Sequence, residues 1–182
     1  MLTRSIIIYG VIAILLLSNL AACTHTEEEK LDFFTVGFAT PEGNAIWVRK
    51  VRFDHRYTRP VGSLGCCWEQ GGASSGVYNE PLPKHIYLEW IDESDKVLYT
   101  AEVELVADLE KRAKQMPEIS SDDDRGITKG QIILAIGMGE HGEVVVWLTN
   151  FPYITENVRG RVLEEVGQTQ ALAMPWQRPV KL

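Results

Sequence analysis

Hydrophobic and polar positions alternate with the period of a β-strand along much of the chain. Phe34, Val36 and Phe38 alternate through residues 32–39. Trp47, Val51 and Phe53 read as one face of residues 45–54, with Lys50 and Arg52 on the other. Thr40-Pro41-Glu42-Gly43-Asn44 between them has turn chemistry. Ile86, Leu88 and Trp90 alternate with Tyr87 and Glu89, and Val97 to Leu105 alternate with Thr100, Glu102 and Glu104. Asp92 to Lys96 joins these two as a hairpin loop, and the wet face of the second predicts an antiparallel sheet covered on one side. Ile132–Ile136 and Val144–Leu148 are unbroken apolar runs, the mark of central strands buried on both faces, with the glycine-rich Gly137–Glu143 connecting them. A helical stripe shows at Leu105, Leu109, Ala113 and Met116, which stops before Pro117 and carries Glu110 and Lys114 as an i,i+4 pair. Residues 155–173 stay open between helix and strand: Val158, Val162, Leu163 and Val166 fit a helix, but Gly160 and Gly167 weaken it. The pattern predicts an α+β fold, mainly antiparallel β-sheet and sandwich-like, with one or two short helices.

Residues 55–85 show no period. They hold five glycines and the pair Cys66-Cys67. A loop near thirty residues is uncommon in a compact domain, so this stretch is either functional or hides an element. A short strand is expected around Cys66-Cys67-Trp68.

The N-terminus changes the picture. Arg4, the apolar run Ile6–Leu17 and the small residues before Cys23 have the layout of a secretory signal peptide. The run is too short for a spanning helix, which needs about 20 apolar residues. Leu20-Ala21-Ala22-Cys23 looks like the lipobox of bacterial lipoproteins. That resemblance implies cleavage between Ala22 and Cys23 and fatty acylation of Cys23. By the same resemblance, Thr24 in place of an aspartate implies sorting to the outer membrane, periplasmic side. The division expected is residues 1–22 as leader, 23–30 as a lipidated tether carrying Glu27-Glu28-Glu29, and 31–182 as a single β-rich domain.

A formal net charge of −7 argues against nucleic acid as a partner. Against that background Arg49, Lys50, Arg52, Arg56 and Arg59 form a local cationic cluster. It reads either as a surface for an acidic partner or lipid phosphates, or as a solvated strand face. Cys66 and Cys67 have three readings: buried free thiols, which we favour, a strained vicinal disulfide, or an intermolecular bridge. Trp68 beside them is a candidate binding residue.

Catalytic and cofactor motifs match in letters and fail in context. Gly137-Met138-Gly139-Glu140-His141-Gly142 satisfies G-x-G-x-x-G, but a strand follows where the dinucleotide site needs a helix. Gly72-Ala73-Ser74-Ser75-Gly76 satisfies G-x-S-x-G, yet the flanks lack the strand-turn-helix of a nucleophile elbow, and a flexible small-residue loop is the plainer reading. Asp122-Asp123-Asp124 opens like an EF-hand, but Ile133 stands where the bidentate glutamate belongs. The histidines at 25, 55, 85 and 141 have no ligand spacing. No cofactor, metal or catalytic residue is expected. An envelope enzyme using Ser74 or the Cys66/Cys67 thiols is the alternative, and a structural envelope lipoprotein a further one.

Several features together resemble an uncharacterised, DUF2931-like family of bacterial lipoproteins. They are the lipobox, Trp47 before Val51-Arg52-Phe53, Pro60-x-Gly62 before Cys66-Cys67-Trp68, Pro81-x-Pro83 before Ile86-Tyr87-Leu88-Glu89-Trp90, and Gly142-Glu143-Val144 before Val146-Trp147-Leu148. Some lipoproteins of this type sit beside phospholipase effectors of type VI secretion and are taken as their immunity proteins. The resemblance therefore implies a non-catalytic protein-binding module, held to the membrane by its lipid, with a protein as partner. It supplies no catalytic residues.

Overall fold

The computed structural model describes residues 31–121, 126–128, 130–154 and 158–177. The leader, Cys23 and the tether lie outside the described residues, as does the acidic run 122–125. In chain order the elements are β1 (Leu31–Ala39), β2 (Ile46–Phe53), β3 (Tyr57–Arg59), β4 (Gly62–Leu64), β5 (Ala73–Glu80), β6 (His85–Asp92) and β7 (Val97–Glu104). There follow the helix α1 (Leu109–Lys114), β8 (Ile119–Ser121), β9 (Gly126–Thr128), β10 (Ile133–Met138), β11 (Glu143–Thr149), β12 (Val158–Arg159), β13 (Leu163–Gln170) and β14 (Leu172–Pro175).

Two large sheets organise these strands. Sheet I runs β13-β11-β10-β1-β5, and sheet II runs β14-β7-β6-β2-β3, with β4 also pairing to β2. A small third sheet runs β12-β8-β9. Pairing is antiparallel except between β1 and β10, which run parallel with Thr35 opposite Ile133. The fold is mostly antiparallel β-sheet with a single short α-helix among the described residues.

Alternation sends one side of each large sheet into a common buried cluster. Phe34, Val36 and Phe38 enter it from β1, and Leu134, Ile136 and Met138 from β10. Sheet II contributes Val51 and Phe53, Ile86, Leu88 and Trp90, and Tyr99, Ala101 and Val103. Trp90 stacks on Tyr99 with ring centroids 5.2 Å apart. The β10 and β11 runs are buried along their whole length except Glu143, as continuous apolar strands in mid-sheet should be. The helix caps the cluster with Leu109 and Ala113, and Arg112 on its outer side bonds Asp108 and Glu164.

The stretch 155–173, open between helix and strand in the sequence, holds β12, β13 and the start of β14 among its described positions. Residues 55–85 hide structure, in β3, β4 and β5. Three expectations are corrected. No strand forms around Cys66-Cys67-Trp68, where Cys67 makes an isolated bridge to Thr40 and residues 68–71 form a turn. Ser74 is in strand β5 rather than a flexible loop. Trp47 does not share a face with Val51 and Phe53. The ladder between β2 and β6 shifts register between Val48 and Lys50. This β-bulge at Arg49 inverts the alternation, so Val48 faces the core and Trp47 faces out, 46% exposed.

Candidate binding surface

With their inner sides committed to the core, the sheets present two outer faces, and the candidate residues divide between them. The outer face of sheet I is overlaid by chain. Residues 65–72 cross it between β4 and β5, and residues 150–154 cross it after β11. Residues 65–72 can lie close because the strands beneath have glycines. A methyl group on Gly37 would stand 2.6 Å from Cα of Gly71. One on Gly137 would stand 2.6 Å from the Trp147 ring and 2.7 Å from the Trp68 ring. Trp68 meets Trp147 edge to face at 5.0 Å, in a small cluster with Ala135, Val145 and Leu163.

Polar contacts pin the overlay. Thr40 N–H donates to the Cys66 carbonyl at 3.0 Å, and Gly71 N–H donates to the Pro152 carbonyl at 2.9 Å. The Arg161 guanidinium donates to the Glu69 carbonyl at 2.6 Å and to the Phe151 carbonyl at 3.2 Å. Burial lowers the pKa of Arg161, with the Glu69 carboxylate opposing. Asn150 is wholly buried. Its amide donates to the carbonyls of Pro117 (3.0 Å) and Gly160 (2.8 Å), and its side-chain oxygen accepts from Val162 N–H at 2.8 Å. Neither Asn150 nor Arg161 stood out in the sequence, since both work through backbone partners that leave no motif.

Cys66 and Cys67 are joined as a vicinal disulfide on this face. Cys66 is exposed and Cys67 half-buried, which corrects the expectation of buried packing thiols. Cys67 has φ of 79° and Glu69 φ of 60°, so the segment turns through left-handed backbone that non-glycine residues seldom adopt. Around the overlay, Tyr153 and Ile154 are 56% and 58% exposed. Further along the same face Phe33 and Tyr78 pair across β1 and β5 at 4.8 Å.

Ser74 also lies on this face, opposite Gly37. The strand continues after it to Glu80, whereas a nucleophile elbow would turn into a helix. His141 sits in the 3₁₀ turn Glu140–Gly142 between β10 and β11 with φ of 58°, so the G-x-G-x-x-G match is a strand connection. Clefts of about 540 Å³ (Glu93, Lys96, Trp176, Gln177) and about 210 Å³ (between Leu82–His85 and Glu104–Glu110) contain none of Ser74, Cys66, Cys67 or His141. Among the described residues no group of three or more His, Cys, Asp or Glu is placed to hold a metal.

The cationic cluster belongs to sheet II and is split. Arg49, Lys50 and Arg52 are on its outer face. Arg49 pairs with Glu89 at 3.1 Å, while Arg52 and Lys50 stand 5.0 and 5.8 Å from the centre of the Tyr87 ring. Burial, followed by Glu89, raises the Tyr87 pKa. Arg59 pairs opposite Val51, a core-facing position, and reaches the Gly76 carbonyl of sheet I at 3.5 Å. Tyr57 beside it stacks on Phe53 at 4.9 Å, and burial pushes its hydroxyl up to about 12. Arg56 lies in the β2–β3 turn. The structure therefore brings Trp68 together with neither Arg49 nor Arg52.

No helix among the described residues is long and apolar enough to cross a membrane. No curated protein and no solved structure matches the chain. A family match spans residues 22–173, from just before Cys23 through every strand up to the second residue of β14. The chain belongs to the family described as Protein of unknown function (DUF2931).

Proposed function

We propose that this chain is a lipoprotein anchored through Cys23 to the periplasmic side of the outer membrane, and that it works as a non-catalytic protein-binding module. Its two sheets are read as the layers of a sandwich, and the binding surface as the overlay on sheet I. One observation carries the reading. An irregular segment bearing Trp68, with exposed Tyr153 and Ile154 beside it, is tied down by backbone and guanidinium hydrogen bonds. Aromatic and aliphatic side chains on an already ordered support lose little entropy on binding, which is what a protein-recognition surface needs. The family resemblance points to a secreted lipase as partner, in the role of immunity protein.

The test is quantitative co-purification of partners from envelope and secreted fractions, comparing the natural chain with Trp68→Ala/Tyr153→Ser. One partner should be retained by the natural chain and lost by the variant, with the urea midpoint of each recorded. A chain that retains no partner and hydrolyses esters in a Ser74-dependent manner would overturn the proposal in favour of an enzyme.

A further inference from the structure

The outer face of sheet II has a composition that a solvated sheet face does not need. Register places Met174, Leu98, Ile91 and Trp47 side by side across β14, β7, β6 and β2. That is an apolar row on the side away from the core, closed in its middle, where Ile91 is 1% exposed, and open at its ends. Trp47 is 46% and Met174 44% exposed, and Leu172 in the adjoining outward row is 73% exposed. Solvated faces of antiparallel sheets are ordinarily polar, and exposed apolar side chains with an aromatic among them mark an interaction surface.

The outward rows next to it carry the complement. Leu172, Thr100, Glu89 and Lys50 form one, with the bulged Arg49 beside them; Glu102, Tyr87 and Arg52 form the next. Three cations stand there with Glu89 and Glu102, and Glu104 follows on the same side of β7. On a chain whose net charge is −7, this face carries cations and carboxylates in equal number. Apolar side chains, a tryptophan and a tyrosine, and lysine and arginine together on one exposed face fit the boundary between acyl chains and phosphate headgroups.

We infer that the outer face of sheet II rests on the surface of a phospholipid bilayer, with Trp47, Leu172 and Met174 entering the headgroup layer and Lys50 and Arg52 meeting its phosphates. This rests on the anchoring reading above, and chain length agrees with it. The run from Cys23 to Leu31 spans at most about 26–29 Å when extended. Leu31 begins β1 in sheet I, and packed sheets are about 10 Å apart, so sheet II can lie flat within that reach. A domain held so close needs little affinity of its own, because the tether sets a high local concentration of lipid. The overlay on sheet I then faces away from the bilayer, open to a partner.

The experiment uses the full chain, purified from envelopes and reconstituted into vesicles of about three parts phosphatidylethanolamine to one part phosphatidylglycerol doped with a photoreactive lipid. Labelled peptides are mapped by mass spectrometry, and the N-terminal peptide is read for acyl groups in the same run. Labelling concentrated on the peptides holding Trp47 and Leu172–Met174, and sparing Tyr78 and Tyr153, is the expected result. An acylated Cys23 with labelling confined to the tether, or spread evenly, overturns the proposed face and leaves the anchor standing. If Cys23 carries no acyl group, flotation of the same chain with these vesicles decides the face alone. Lys50→Ala/Arg52→Ala, both exposed or half-exposed, should then weaken binding about thirtyfold at low salt, and no binding by the natural chain overturns the inference. Protection of these peptides that scales with protein concentration in detergent, without lipid, would assign the face to a second copy and overturn it as well.

Discussion

The two outer faces of this molecule solve opposite problems. Sheet I is covered by its own chain, and it accepts that cover by removing side chains at Gly37 and Gly137 and by spending a buried asparagine and an arginine on loop carbonyls. Sheet II keeps its outer side chains, and Trp47, Leu172 and Met174 among them stand exposed while Ile91 is buried. A fixed overlay gives shape, which suits one protein partner. A bare, amphipathic face gives area and charge, which suits a surface without fixed shape.

That contrast is best broken at Asn150. Asn150→Leu strands the Pro117 and Gly160 carbonyls and the Val162 N–H in a buried site, and a loss of about 3 kcal/mol in urea unfolding is expected. Hydrogen exchange should rise across 150–154 and 65–72 and stay unchanged in β6 and β7. Gly137→Val, which drives a branched side chain into two indole rings, should cost about 2 kcal/mol. It should also shift the emission of Trp68 and Trp147 toward that of exposed indole.

Tyr57 lies at the seam between the sheets, and its effect is a matter of pH. Its folded pKa, about 12, is raised above the ordinary tyrosine value of 10.0 by burial, so the folded state holds the phenolic proton more tightly. That contribution is fully present below pH 10 and is lost as pH rises through 12. Allowing for partial solvent screening, the loss should be about 1–2 kcal/mol, read as a fall in urea midpoint across that window. Tyr57→Phe should flatten this limb. At neutral pH it should leave stability unchanged or slightly higher, since the buried hydroxyl has no hydrogen-bond partner. Smallest of all is Arg49→Ala. An exposed pair with Glu89 is worth no more than about 0.5 kcal/mol, so the unfolding curve should barely move.

The strands that bury a full side were legible in the sequence, and those that bury little were not. β1, β6 and β7 alternate cleanly, and β10 and β11 announce themselves as unbroken apolar runs. β5 buries only Val77 and β13 only Val166, because both are edge strands whose other positions meet water. With one apolar anchor each, neither has a period to read. From β12 to β13 the valines at 158, 162 and 166 fall at helical spacing, so strand and helix could not be told apart. The face of Trp47 was misread for a different reason: a single extra residue at Arg49 inverts every position before it. The candidate site was legible only as an oddity at Cys66-Cys67-Trp68. What fixes it, the carbonyl contacts of Arg161 and Asn150, depends on chain segments that meet only after folding.

The parallel pairing of β1 with β10 sets the order in which this protein can be finished. The first strand occupies a slot between β5 and β10, and its second neighbour is made about a hundred residues later. At ordinary synthesis speeds of about 5–20 residues per second, that is a wait of roughly 5–20 s during which Phe34, Val36 and Phe38 have no complete shelter. Until the later strand arrives the leading end stays threadable, a state that passage through a narrow translocation pore would require.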